Sequence, residues 1–127
     1  MTDEQVKDVG KAFIQHYYQT FDTGSRESVA ALYEPSVGRM DFNGAKTAVG
    51  VAEITERLRS YTFTTINHTV STIDIQQTYD NGILIVVTGM LRADNDQPMQ
   101  FTETFLLKGA NNSWFVVNNF FRLVFHG

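Results

Sequence analysis

Apolar residues in the first part of the chain recur every three or four positions, which is the spacing of one face of an α-helix. The pattern starts near Asp3 and stops at the turn-forming Asp22-Thr23-Gly24, so it predicts one long N-terminal helix. Ser25 suits the N-cap of a second, short helix that ends before Pro35, and a third short helix is predicted after Gly50. The apolar face of the first helix comprises Val6, Val9, Phe13, Tyr17 and Phe21.

From position 63 onward, apolar residues alternate with polar ones, which is the period of a β-strand. Because tight turns separate these segments, consecutive strands are predicted to pair as an antiparallel meander. A smaller hairpin, Val37–Asn43 with Lys46–Val49, is predicted around Asn43-Gly44. The four long predicted strands are Phe63–Gln77, Ile83–Arg92, Met99–Lys108 and Ser113–His126.

Helices followed by strands indicate a single α+β domain over residues 1–127. A sheet this long has to curve around the first helix, beside the two short helices, and it forms a cone with one open end. The other face of the sheet is also apolar, because Trp114 and Val116 alternate with Phe115 and Val117. Since one layer of helices covers only one face, we predict a homodimer packed sheet to sheet.

Composition narrows the possible ligands. The chain has ten Phe, five Tyr and one Trp, which predicts a large aromatic core, an aromatic-lined cavity, or both. The net charge is −4 without any Lys/Arg run, which disfavours nucleic acid and anionic membrane and permits a basic protein partner. There is no Cys, no signal peptide and no apolar membrane span, so we expect a soluble intracellular protein without a metal or cofactor.

The connection between the second and third long strands carries two acidic residues. Asp94 and Asp96 stand one residue apart, and Met99 and Phe101 follow directly. This pattern places a doubled negative charge beside an apolar surface, which suits a partner that offers a cation next to a hydrophobic anchor. The alternative is an ordinary solvated hairpin loop, because Asp, Asn and Pro are common turn residues.

Several segments, in their order and spacing, resemble the nuclear transport factor 2 family from about Val6 to His126. They are Phe13-Ile14-Gln15-His16-Tyr17-Tyr18, Phe21-Asp22, Leu91-Arg92-Ala93-Asp94-Asn95-Asp96, Phe105-Leu106-Leu107-Lys108 and Phe120-Phe121-Arg122-Leu123. The resemblance implies a curved sheet that cups a long helix, with an apolar cavity at the open end and dimerisation through the sheet. It also implies a carrier of the GDP-bound GTPase Ran that passes nuclear pores through weak contacts with phenylalanine–glycine repeats of nucleoporins. Such a carrier would occur in cytoplasm and nucleus and be enriched at the nuclear envelope.

The resemblance assigns roles to individual residues. Asp94 and Asp96 would form the cavity rim and face Lys and Arg side chains of the GTPase's switch region. The cavity that receives a switch-region phenylalanine would be lined by Phe42, Tyr61, Ile66, Met99 and Phe121.

Two positions depart from the family pattern. Asn43 stands where a third rim acid is usual, and the adjacent Asp41 could replace it, although strand alternation points Asp41 to the opposite face. Val6 stands at the nucleoporin-binding position where animal members carry tryptophan. We therefore expect nucleoporin contacts that are weaker or that use other residues.

The sequence leaves two alternatives open. The first is an enzyme, because the same fold also occurs in ketosteroid-isomerase-like and dehydratase-like enzymes. Tyr17, Tyr61, His68 and Asp41 are conceivable acid–base residues, but they form no recognisable pair, so we expect no enzymatic activity. We expect His68 to be a hydrogen-bonding wall residue and Glu103 to be paired or at an interface. The second alternative is an adaptor, such as the small subunit of a messenger-RNA export heterodimer or a peptide-reading scaffold.

Overall fold

The computed structural model describes residues Met1–Val124, and its elements follow the predicted order. β6 ends at Leu123, and the last two positions of the predicted final strand, 125 and 126, lie outside the described residues. The helices are α1 (Asp3–Thr23), α2 (Arg26–Ala30) and α3 (Gly50–Arg59). The strands are β1 (Arg39–Phe42), β2 (Ala48–Val49), β3 (Ile66–Gln77), β4 (Ile83–Ala93), β5 (Met99–Ala110) and β6 (Ser113–Leu123).

The six strands form one sheet in the order β2-β1-β6-β5-β4-β3. β3 to β6 pair antiparallel with their chain neighbours, which confirms the predicted meander. β1 pairs antiparallel with β2 and parallel with β6. The sheet is therefore curved and unclosed, and α1 packs against it, mainly along β3.

α1 begins and ends where the sequence predicts. Thr2 and Gln5 form a reciprocal capping box at its start, and the N–H of Gly24 donates to the Thr20 carbonyl at its end. Ser25 caps α2 as predicted. α2 ends at Ala30, well before Pro35, because the chain then joins the sheet through the bridge between Tyr33 and Val116.

The buried face of α1 differs from the predicted one at its centre. Gly10 and Ile14 are buried, whereas Val9 and Phe13 are only partly buried. A Cβ atom at Gly10 would lie 2.8 Å from a side-chain atom of Ile75 on β3, so glycine permits this close approach. The hydrophobic pattern of the sequence did not reveal this contact, because glycine contributes no side chain to it.

Two bulges decide which side chains face the helix. The register of β3 against β4 shifts between Val70 and Thr72, so Asp74 pairs with Val86 on the convex face and points away from His68. The shift in β5 and β6 at Leu106 and Leu107 leaves Phe121 buried and Phe120 exposed. Within residues 1–124, none of the helices combines the length and the apolar character of a membrane span.

Candidate functional site

A cavity of about 170 Å³ lies at the open end of the sheet, between α1, α3 and the concave face. Its walls are mostly aromatic and aliphatic, and at its outer edge the Met99 side chain is 36% exposed. The cavity is lined by Tyr17, Phe21, Met40, Phe42, Leu58, Phe63, Ile66, His68, Leu91, Ala93, Met99, Glu103, Asn119, Phe121 and Leu123.

Four of the five wall residues assigned by resemblance line this cavity, namely Phe42, Ile66, Met99 and Phe121. The rings of Phe42 and Phe121 are nearly parallel, with centroids 4.5 Å apart. Tyr61 is outside the lining set but packs on Phe42 at 4.6 Å, and burial raises the pKa of Tyr61 to about 12. Tyr61 therefore supports the wall of the cavity from behind.

Asp94 anchors the turn that borders the cavity. Its backbone has φ of 52°, a left-handed conformation that Asp tolerates better than most residues. Its Oδ1 accepts hydrogen bonds from the backbone N–H of Thr64 and Thr65, both at 2.9 Å, and from the Thr64 hydroxyl at 2.7 Å. These hydrogen bonds lower the pKa of Asp94, so its carboxylate stays ionised at neutral pH.

Asp96 is exposed on the same turn, and its N–H donates to the Ala93 carbonyl at 3.0 Å. Ala93 and Met99, which flank the turn, both line the cavity. Both acids therefore stand on the loop at the cavity's border.

The remaining positions assigned by resemblance lie elsewhere. Asn43 Oδ1 accepts from the Leu123 N–H at 3.1 Å, so this side chain ties the end of β1 to β6. Asp41 stands beside Phe120 in the sheet, on the face opposite to Phe42, as strand alternation predicted. It is therefore unsuited to replace a rim acid. Val6 is fully buried and presents no surface to a nucleoporin, so its assignment as a nucleoporin contact is corrected.

The mouth also carries a cation that the sequence analysis did not single out. The guanidinium of Arg26 lies 4.5 Å from the ring centroid of Phe63, which lines the cavity. A cation over an aromatic face is held by the ring quadrupole. The mouth thus presents acids on the β4–β5 turn and a base at the start of α2.

Two buried polar residues lie at the floor of this otherwise apolar cavity. Glu103 and Asn119 are 4% and 2% exposed, and both line the cavity. The Tyr18 hydroxyl donates to Glu103 Oε1 at 2.8 Å, and Asn119 Nδ2 donates to Oε2 at 2.9 Å. The Tyr33 hydroxyl donates to Asn119 Oδ1 at 3.2 Å. Burial raises the pKa of Glu103 despite these donors.

His68 is a hydrogen-bonded wall residue, as the sequence predicted. Its backbone N–H donates to Asp22 Oδ2 at 2.9 Å, and its Nδ1 lies 2.6 Å from Asp22 Oδ1. The imidazole also stacks on Tyr18, with ring centroids 4.6 Å apart. The pair therefore fixes the orientation of this wall.

The sequence profile of the nuclear transport factor 2 (NTF2) domain matches residues 9–123. The chain belongs to the NTF2 domain family. It is 40% identical over 121 residues to nuclear transport factor 2 of Emericella nidulans, covering 93% of this chain and 94% of that protein. It is 38% identical over 118 residues to nuclear transport factor 2 of Neurospora crassa, covering 91% and 93%.

A solved NTF2 structure shows that the similarity extends to the coordinates. Nuclear transport factor 2 from Cryptosporidium parvum superposes with a TM-score of 0.89 at 32% identity, covering 98% of each chain. The predicted curved sheet around a long helix is thereby confirmed as the NTF2-like fold.

Within this NTF2-like fold, the floor of the cavity is a part of the site that sequence patterns did not identify. The available signal was Glu103, a polar residue at an inward position between Phe101 and Phe105, for which only an unspecified partner was expected. In the part of the chain that the structure describes, no three His, Asp or Glu side chains are grouped to hold a metal ion. The arrangement is suited to binding an apolar group beneath a charged rim.

Proposed function

We propose that this protein is a nuclear transport carrier that binds GDP-bound Ran through the cavity at the open end of its sheet. The observation that carries the proposal is an open apolar cavity of about 170 Å³ bordered by a turn with Asp94 and Asp96. The relatives of this chain in two fungi are named nuclear transport factor 2, which supports a role in nuclear transport.

The apolar walls supply most of the affinity. Burying one phenylalanine from the GTPase contributes about 1.5–3 kcal/mol, whereas exposed ion pairs contribute about 0–1 kcal/mol each. The rim carboxylates therefore act mainly on orientation, association rate and choice of partner. Asp94 suits this role because its Oδ1 bonds hold it in place and its lowered pKa keeps it charged.

Selectivity for the nucleotide state follows from shape. A GTPase switch segment rearranges when the γ-phosphate is present. The cavity walls are held by stacked rings, Phe42 on Phe121 and Phe121 on Phe101, with centroids 4.5 and 5.5 Å apart. A cavity fitted to the GDP arrangement then discriminates against the GTP arrangement without contacting the nucleotide.

The convex face of the sheet is the proposed dimer interface. It exposes apolar side chains at Leu84, Met90 and Phe120, the last of them 55% exposed. A second copy would bury this face. We assign the contacts with phenylalanine–glycine nucleoporins to exposed residues of the protein. Val6 is not one of them, because it is buried. The carrier would then work in cytoplasm and nucleus and accumulate at nuclear pores.

The test is a pull-down of Ran loaded with GDP or with a non-hydrolysable GTP analogue. We expect capture of the GDP form and little or no capture of the GTP form. Equal capture of both forms would refute the state selectivity, and capture of neither would refute the partner. Sedimentation of the isolated chain tests the homodimer in a separate measurement.

A further inference from the structure

The cavity also has the features of a small-molecule site. Its volume of about 170 Å³ is close to that of an engineered protein cavity of roughly 150 Å³ that binds benzene. A single six-membered ring fits this space.

The walls favour a flat ring. Phe42 and Phe121 are stacked at an interplanar angle of 7°, and Phe101 stacks on Phe121 at 20°. Because Phe42 and Phe101 cover the faces of Phe121, the wall offers ring edges to the cavity, and a ring edge packs against the face of an aromatic ligand in T-shaped contact. Ile66 and Met99 complete the apolar lining nearer the mouth.

The floor specifies a polar group on that ring. A carboxylate has about four lone-pair positions, and within residues 1–124 the hydrogen bonds to Glu103 come from Tyr18 and Asn119. Glu103 also lines the cavity, so acceptor capacity remains on a buried carboxyl group beneath apolar walls. A hydroxyl group can donate to the ionised carboxylate and accept from the protonated carboxyl. A carboxylate on the ligand would instead be repelled.

We propose that the cavity is a binding site for a small phenol, a single aromatic ring whose hydroxyl reaches Glu103. The ring would occupy the volume assigned above to the anchor of Ran, so a bound phenol would compete with the GTPase. Only this competition rests on the proposed function, because binding of the phenol depends on the isolated cavity alone.

The test compares p-cresol with toluene, which has the same ring and methyl group but no hydroxyl. Both are titrated into the isotopically labelled protein and followed by amide chemical shifts. We expect p-cresol to bind roughly tenfold more tightly, which is the effect of about one hydrogen bond to a carboxylate. Equal affinities would overturn the proposal.

Variants test whether the preference for p-cresol over toluene depends on Glu103 and on the cavity. Glu103→Gln keeps hydrogen-bonding groups and should retain the preference for p-cresol, whereas Glu103→Met should bind both ligands equally. Ala93→Leu should weaken both ligands by filling the cavity, since Ala93 lies in its wall. A preference that survives Glu103→Met, or p-cresol binding unaffected by Ala93→Leu, would contradict the assigned site. Should Glu103→Met fail to fold, the comparison of the two ligands in the unmodified protein and in Ala93→Leu still decides.

A final experiment measures the binding of GDP-loaded Ran to the protein in the presence of p-cresol. Loss of GDP-Ran binding as p-cresol saturates supports the competition. Binding of p-cresol without any effect on GDP-Ran would show that the small-molecule site exists but that the GTPase does not use the cavity. Failure of the phenol proposal and failure of the transport proposal therefore give different results.

Discussion

The rim and the floor of the cavity each hold a carboxyl group, and the pKa values of these two groups are shifted in opposite directions. Asp94 on the rim is exposed and accepts several hydrogen bonds from Thr64 and Thr65, so its pKa is lowered. Glu103 on the floor is buried with two donors, and the loss of water raises its pKa. Burial and hydrogen bonding compete at every such group. The environment of the rim therefore favours the ionised form of Asp94, and the environment of the floor disfavours the ionised form of Glu103.

The largest effect on stability is expected where the floor network is cut. Asn119→Leu removes the donor to Glu103 Oε2 and the acceptor for the Tyr33 hydroxyl, and leaves both groups buried. The free energy of unfolding should fall by about 3 kcal/mol, because Glu103 Oε2 is left buried without its donor and the Tyr33 hydroxyl keeps only its hydrogen bond with Tyr17. Urea unfolding measures this change. The control is Asn118→Leu, at the half-buried neighbouring position, for which a much smaller change is expected. Equal changes in the two variants would show that the network does not stabilise the fold.

A smaller effect is expected for Tyr18→Phe. The variant removes one hydrogen bond to Glu103 and keeps the ring that packs on His68. We expect a loss of about 1–2 kcal/mol in the free energy of unfolding. Tyr79→Phe is the matched control, because the Tyr79 side chain is fully exposed. If Tyr18→Phe were as stable as the control, Glu103 would not depend on this donor.

The opposite pKa shifts predict opposite dependences of stability on pH. The pKa of Glu103 is raised, so stability should decrease as pH rises from the usual glutamate range through the raised value. The pKa of Asp94 is lowered, so its contribution should be lost as pH falls through the lowered value. Urea unfolding over a pH series measures these two contributions. Comparing Glu103→Gln and Asp94→Asn with the unmodified protein separates the contribution of Glu103 from that of Asp94. A Glu103→Gln variant with an unchanged pH profile would contradict the raised pKa.

The smallest and most local effect is expected for Asp94→Ala. Without the carboxylate, the N–H groups of Thr64 and Thr65 lose their acceptor, so their amide hydrogens should exchange faster while the rest of the sheet is unaffected. Asp94→Asn keeps an oxygen at the same position and should preserve the protection. Hydrogen exchange measured by NMR distinguishes the two variants. Equal protection in both would show that the turn is held by other contacts.

Local sequence patterns identified the two acids of the β4–β5 turn but not the floor of the cavity, for a physical reason. The rim acids lie on a turn between two alternating strands, so local patterns reveal them. The floor joins Tyr18 to Glu103 across 85 positions and Tyr33 to Asn119 across 86, and no local pattern records such pairs. The sequence also did not reveal the direction of side chains that follow a bulge. Asp74 is an example, because the bulge in β3 turns it to the opposite face of the sheet. The periodicity of apolar residues was sufficient to predict the helices and strands, because buried positions repeat at a regular interval along each of them.

The measurement that tests the central claim most directly is a calorimetric titration of GDP-loaded Ran into the unmodified protein and into Asp94→Asn. Asparagine keeps the acceptor that holds the turn and removes only the charge, so the fold should be preserved. We expect binding to weaken by roughly tenfold or more. The rim pair loses water in the complex, so removing one carboxylate leaves the facing cation of the partner without a counter-charge, which costs more than an exposed ion pair contributes. Asp8→Asn, an exposed acid near the other end of α1, should bind as tightly as the unmodified protein. Unchanged affinity in Asp94→Asn would contradict the assignment of this rim as the binding site for Ran.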